Sequence, residues 1–446
     1  MKLINGIVAV ALLVVLLQNR QPILAAAALV LVLGWSLCLR LSKGQGFQKL
    51  EWAIVICLAY WLLNYTWSVG DFQTLISYNF LRRDGALLVS YTAFLGFLGW
   101  SLKPGECRNF WIICILLLAL IAVPGLVYCL HLFPYPYYIE ELGVVSFDPN
   151  VGGRMFLGWY EAHNSAGGVY ALGSVLALAI IHETRLSPKF KQFLWFLLCC
   201  CLGGLVFSYS RGGYLGFLLG IAFILPLRKV GKTLRVTILI SIPLILISVM
   251  TSTFLSRIDT ITDPYYGTNA DRFRLWGEAF DDIAASPFIG IGFSRFNDRM
   301  VDFHGIKGLY WVGVGGEIIN DDSNAHNSYL HFLAEGGIVG LLLTLRIWWL
   351  AWAELSFFQS RLIRSKLRGL HKAAKACLVA LLMLSFTEHM LGKGSVVMVL
   401  MSLVGMTLAT SRLEWRAAKE ATAKARGPLE TGPRTARKRQ LATFTY

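Results

Sequence analysis

Asp321-Asp322-Ser323-Asn324-Ala325-His326-Asn327-Ser328-Tyr329-Leu330 closes the polar stretch 256–325 and runs straight into an apolar one, Leu330 to Trp352. A helix needs roughly 20 apolar residues to cross the hydrocarbon layer of a bilayer. The run after Leu330 is that long, so it is expected to span. His326 is then expected at the water edge of the membrane, in the first turn of a membrane helix.

The rest of the chain repeats the pattern. Of its 446 residues 56% are hydrophobic and only 15% charged, with a mean hydropathy of +0.58. No soluble domain of this size needs so much apolar surface. Candidate spans fall near 4–18, 23–39, 52–69, 86–102, 110–133, 166–182, 191–208, 213–227, 235–254, 328–352, 373–388 and 394–410. The expected fold is therefore all-α, a polytopic transmembrane helical protein of about 12 spans. Residues 1–255 hold nine spans, 256–325 form one large outside loop, 326–410 hold three spans, and 411–446 are a basic tail.

Lysine and arginine bias sets the orientation. With the N-terminus inside, most of the 41 basic residues fall on the inner side, in short loops such as Arg228, Lys229, Lys232 and Arg235 and in the tail from Arg412. Both termini are expected in the cytoplasm. The net charge of +15 is explained by anionic membrane lipids facing these loops. It does not call for nucleic acid, and the long outside loop is net negative. The N-terminal apolar run resembles a secretory signal, but the many spans that follow favour an uncleaved anchor. The nine cysteines lie in spans or near the inner face, which leaves no disulfide framework and no cysteine metal site.

Two outside segments are long enough to hold chemistry. Residues 134–165 are rich in tyrosine and turn residues; an interfacial aromatic belt is the plain reading and sugar stacking the functional one. In 256–325, Phe273, Trp276, Phe280 and Ile283 share one helical face, which suits an amphipathic helix lying on the outer leaflet. Ser286-Pro287 ends that helix, and Phe288-Ile289-Gly290-Ile291-Gly292-Phe293 follows as a tight turn with its backbone exposed.

Four ordered elements then stand out: Ser208-x-Ser-Arg211-Gly-Gly, Arg272-x-x-x-Trp276, Pro287-x-x-Gly290-x-Gly292, and His326-Asn-x-Tyr329-Leu continuing to Ala334-Glu-x-Gly337-x-x-Gly340-Leu-Leu. Together they resemble the signature of the O-antigen ligase and polymerase family, membrane glycosyltransferases that use polyprenyl-diphosphate-linked glycans. The resemblance implies an undecaprenyl-diphosphate-linked glycan as donor and lipid A core as acceptor. It implies transfer at the periplasmic face of the bacterial inner membrane, with no metal and no cofactor. A second glycan (polymerase) or a protein would be the alternative acceptor.

The residues offer what that chemistry requires. A diphosphate leaving group gains charge in the transition state and needs fixed cations, and the attacking hydroxyl needs a base. Arg211, at the outer junction of two spans, reads either as a snorkelling interfacial charge or as a phosphate ligand, a task that suits guanidinium. The resemblance selects Arg272 over Arg274 as its partner cation. His326 is the expected base, although a histidine at a helix start is often only a cap. The helix dipole would favour its neutral form, with Asp321 and Asp322 pushing the other way. Arg274, second choice to Arg272, and Arg154 and Tyr329 are the further candidate substrate contacts. His331 and Glu335 read as helix packing. There is no Asp-x-Asp pair, no Walker loop and no His-Glu-x-x-His. A lipid-linked oligosaccharide flippase stands as the other class, but transporters place ionisable groups at the midplane and show paired broken helices.

Overall fold

The computed structural model describes residue 34 and residues 46–68, 85–130, 145–148, 153–158, 163–183, 186–224, 267–296, 310–312, 318–320, 324–363, 365–392 and 394–425. Expected spans near 4–18, 23–39 and 235–254 fall outside these, as do Asp321, Asp322 and the end of the tail. Ten helices are described: α1 (Lys49–Ser68), α2 (Gly85–Gly99), α3 (Pro104–Cys129), α4 (His163–Glu183), α5 (Pro188–Phe207), α6 (Arg211–Ile224), α7 (Gly267–Ala285), α8 (Ser328–Arg361), α9 (Arg368–Thr387) and α10 (Gly394–Ala425). Six of them, α3, α4, α5, α8, α9 and α10, are long and apolar enough to cross a membrane, and α2 and α6 are shorter apolar helices.

The described residues are all-α in class, as expected. Beside the helices lie two short antiparallel hairpins: β1 (Val145–Asp148) with β2 (Gly153–Phe156), and β3 (Tyr310–Val312) with β4 (Ile318–Asn320). Polar, turn-rich segments outside the bilayer can satisfy a sheet edge with water, so helix is not compulsory there. β2 is anchored by Phe156, fully buried against Tyr170 with ring centroids 5.2 Å apart. Space for that ring exists because Gly125 of α3 and Gly204 of α5 carry no side chain.

Glycine also brings α6 onto α9. Gly212, Gly216 and Gly220 repeat every four residues and so share one helical face. A Cβ at Gly212 would collide with the Thr387 hydroxyl, one at Gly216 would lie 3.0 Å from the Ala380 carbonyl oxygen, and one at Gly220 would meet Val175 of α4. Small residues are what allow helix backbones to approach in a membrane, where no hydrophobic drive separates helix from lipid. The turn between α5 and α6 is equally tight. Ser208 Oγ accepts from the Ser210 amide (3.3 Å), Ser210 Oγ accepts from the Gly213 amide (3.1 Å), and Tyr209 takes φ 52°. Arg211, the first residue of α6, is thereby set beside the outer end of α9.

α8 is broken. Gly337 takes φ 59°, ψ −170°, a conformation that L side chains rarely adopt. Before the break, Ser328 Oγ accepts from the Leu391 amide (3.1 Å) while Gly336 O accepts from Tyr60 Oη of α1 (2.6 Å). The first segment thus runs across one end of the bundle, from the α9–α10 turn to the end of α1. The second segment runs to the opposite end, where Glu354 and Glu51 of α1 both bind Arg412 of α10.

The turn after α7 docks into this break. Ile291 and Gly292 amides donate to Ala334 O (2.9 Å) and Glu335 O (3.0 Å); Ile338 and Val339 amides donate to Pro287 O (2.9 Å) and Phe288 O (3.2 Å). A broken membrane helix must find partners for its freed backbone groups, and residues 287–292 supply them. The expected exposed backbone turn is therefore corrected: its amides and carbonyls are occupied by α8. Gly290, at φ 72°, is needed because a Cβ there would strike the Glu335 carbonyl.

Candidate functional site

At one end of the bundle α4, α7, α9 and the segment before α8 converge on one carboxylate. Glu388 follows the last residue of α9 in extended conformation, φ −153°, ψ 160°, and is 1% exposed. Its Oε1 accepts from Asn164 Nδ2 at 2.6 Å and from Arg272 Nη2 at 2.8 Å. Its Oε2 lies 3.0 Å from His326 Nδ1. A buried carboxylate costs several kcal/mol unless it is paired and hydrogen-bonded, and here Asn164 of α4, Arg272 of α7 and His326, just before α8, compensate it. The Glu388 carbonyl is used as well, accepting from Ser328 Oγ at 3.2 Å.

His326 is not in the first turn of α8. It precedes the cap, Asn327, whose side chain accepts from the Tyr329 and Leu330 amides at 2.9 and 3.2 Å. The physical reason is the competition that short polar side chains offer to helix at its ends. His326 itself takes φ 45°, with its amide donating to Asn324 Oδ1 at 2.9 Å. The ring is accordingly fixed by Glu388 rather than by the helix start. An ionised carboxylate only accepts, so Nδ1 carries the shared proton and the Nε2 lone pair is the one left for chemistry. The side chain is one-third exposed, enough for a substrate to reach it.

Arg272 reaches Glu388 from α7. That helix rests on α8 through Leu275 and Ala279, which form a small buried cluster with Phe296, Ala325 and Ala334. Trp276 Nε1 donates to the Ala325 carbonyl at 2.9 Å, tying the Arg-x-x-x-Trp element to the residue before His326. The expected apolar face of α7 is split: its Trp276 and Ile283 side packs inward, whereas Phe273 and Phe280 are exposed. Arg274 is exposed on another strip of the helix.

Arg211 belongs to the same neighbourhood. The next residue, Gly212, packs on Thr387, and Thr387 precedes Glu388. The structure thus brings the elements bearing Arg211, Arg272 and His326 to one place, the outer end of α9. Tyr329 is held for packing: its hydroxyl donates to the Leu382 carbonyl at 2.7 Å and its ring lies 4.5 Å from that of Phe386. Arg154 lies on β2, paired with Phe147 in register. Beneath His326, His331 Nε2 is 3.4 Å from Glu335 Oε2, and its ring is 4.0 Å from that of His389. Glu335 Oε1 also accepts from the Phe296 amide at 3.2 Å. Among the described residues no cluster of His, Cys, Asp and Glu is arranged to hold a metal ion.

Sequence reasoning missed Glu388. The signal was a lone carboxylate in Phe386-Thr387-Glu388-His389-Met390, at the outer end of a span and in the short turn joining it to the next. An acid there must find cations, and the segment 256–325 carries Arg272, which supplies one.

These features define a class, a helical membrane protein with a histidine and an arginine held on a buried carboxylate at one end of its bundle. Comparison adds a likeness: residues 195–345 match the family model described as O-antigen ligase. The matched stretch holds Arg211, Arg272 and His326, while Asn164 and Glu388 lie outside it. No curated protein matches the chain.

Proposed function

We propose that this protein transfers a glycan from undecaprenyl diphosphate to lipid A core oligosaccharide at the periplasmic face of the inner membrane. The observation that carries the reading is the Glu388 junction, which holds His326 and Arg272 together beside the Arg211 turn. In the proposed step the acceptor hydroxyl oxygen bonds to the anomeric carbon of the donor glycan. The bond from that carbon to the diphosphate oxygen breaks, and its electron pair leaves with undecaprenyl diphosphate. His326 Nε2 takes the hydroxyl proton, while Glu388 holds Nδ1–H and steadies the imidazolium. Arg272 and Arg211 meet the charge that grows on the leaving diphosphate, and Arg272 has guanidinium nitrogens beyond the Nη2 that Glu388 engages. Arg274 and Arg154 would contact the glycan or headgroups nearby.

The wider layout is part of the same proposal: about 12 spans, both termini cytoplasmic, residues 256–325 periplasmic, and a basic tail from 411 facing anionic lipid. A broken helix such as α8 is also a feature of transporters, but transporters carry paired breaks around a midplane site. The break described here lies at the outer end and is filled by the chain's own turn, which favours an enzyme whose loop must be held rigid.

Purified protein in liposomes with an undecaprenyl-diphosphate glycan donor tests the reading, offered lipid A core, a second donor molecule or an unfolded peptide in parallel. The expected product is glycan on lipid A core. Extension of the second donor would make the protein a polymerase, modification of the peptide a protein glycosyltransferase, and movement of donor across the bilayer without any product a flippase.

A further inference from the structure

Four exposed apolar residues lie on α7 and the turn after it: Phe273 at 55%, Phe280 at 57%, Phe288 at 71% and Ile289 at 51% exposure. Scattered exposed hydrophobics are ordinary, but these have an ordered setting. Phe273 and Phe280 are two turns apart on one strip of α7. Arg274 and Asp281, the next residue in each case, are exposed about 100° further round. The helix therefore has three sides: one packed on α8, one charged, and one apolar and bare.

The turn fixes where that bare side leads. The Ile289 carbonyl accepts from Asn64 Nδ2 (2.8 Å) and Tyr60 Oη (3.3 Å), both on α1. Ile289 thus sits over the outer end of α1, where Leu63 and Trp67 are exposed. The Phe288 carbonyl accepts from Val339, and Ile338, Val339 and Leu342 of α8 are exposed too. α8 is long and apolar enough to span, and residues exposed on a membrane span face lipid, so the apolar surface of the turn is continuous with the lipid-facing surface of α8.

We propose that Phe273, Phe280, Phe288 and Ile289 form an insertion edge that enters the acyl chains of the bilayer leaflet on the site's side. An amphipathic helix with segregated faces buries its apolar side at the headgroup–acyl boundary. Arg272, on the packed side of the same helix, is then held at the depth of lipid phosphates. The edge sets the height at which the site meets a phosphate carried on a lipid. This last consequence rests on the glycan-transfer reading; the insertion itself does not.

Nitroxide labels report the insertion directly. Phe280→Cys, Phe288→Cys and, as the water-facing reference, Asp281→Cys are made in a Cys199→Ser parent, because Cys199 is the exposed cysteine among the described ones. Each labelled protein is reconstituted in phosphatidylethanolamine–phosphatidylglycerol liposomes, with the labelled parent as blank, and its accessibility to oxygen and to a water-soluble nickel chelate is compared. Oxygen should exceed nickel several-fold at 280 and 288 and fall below it at 281. Nickel access at 280 or 288 like that at 281 overturns the proposal, since that side then faces water. Exclusion of both reagents at either position also overturns it, because a segment of this chain or a second copy then covers the strip. Phe280→Ser should raise KM for the lipid-linked donor several-fold in liposomes with kcat unchanged. If labelling shows insertion and no glycan is transferred by any variant or the parent, the functional reading fails and the insertion edge stands.

Discussion

A carboxylate that accepts from Asn164, Arg272 and His326 at once cannot be altered without consequence for all three. Glu388→Gln is the sharpest test, because it preserves size. A glutamine amide in place of Oε2 would set a donor against His326 Nδ1–H and favour the tautomer whose proton sits on Nε2, where the base must be. Transfer should fall by about 10²–10⁴, the usual worth of a positioned general base, in protein that still purifies as a folded species. Wild-type rates in Glu388→Gln would show that the contact is structural only. Arg272→Lys and Arg211→Lys should each retain a fraction of activity and the alanine variants almost none, since lysine keeps the charge but loses the planar fork. His326 and both arginines were legible because each sits in a short local motif. Glu388 was not, since its meaning comes from partners 62 to 224 residues away along the chain.

Rigidity at the element scale comes from the four backbone hydrogen bonds that lock residues 287–292 into the break of α8. Gly337→Ala should be costly twice over. A backbone at φ 59°, ψ −170° is essentially reserved for glycine and costs an L side chain roughly 1–3 kcal/mol, and the added Cβ would strike the Phe288 backbone. The expected result is a clear drop in thermal unfolding temperature with loss of transfer, whereas Gly277→Ala, where a Cβ meets nothing within 4 Å, should be neutral in both. Equal effects of the two would contradict the lock. The Pro-x-x-Gly-x-Gly element was visible in sequence, but its use was not. A glycine pair looks alike whether its backbone faces a ligand or another helix. The face of α7 was half legible for a similar reason, as the 3.6-residue period locates an apolar arc without dividing it between protein and lipid.

At the scale of the molecule, hydropathy made the helical membrane class readable, because a bilayer admits few alternatives to helix. It was silent on the two hairpins, which lie outside the apolar runs. It was silent too on how α6 meets α9, which depends on a glycine repeat and a facing surface far away in sequence. The proposed step draws its cations and base from Arg211, Arg272 and His326, so transfer is expected to proceed undiminished in EDTA; loss of rate restored by a divalent ion would contradict the proposal.

The most direct measurement is the rate of glycan transfer from undecaprenyl diphosphate to lipid A core by purified wild-type and His326→Ala protein in liposomes without ATP. Wild type should turn over, and His326→Ala should be slower by about 10² or more while keeping its fold. Equal rates for the two would contradict the assignment of His326 as base, and would leave the Glu388 junction as a structural clasp around chemistry done by the arginines alone.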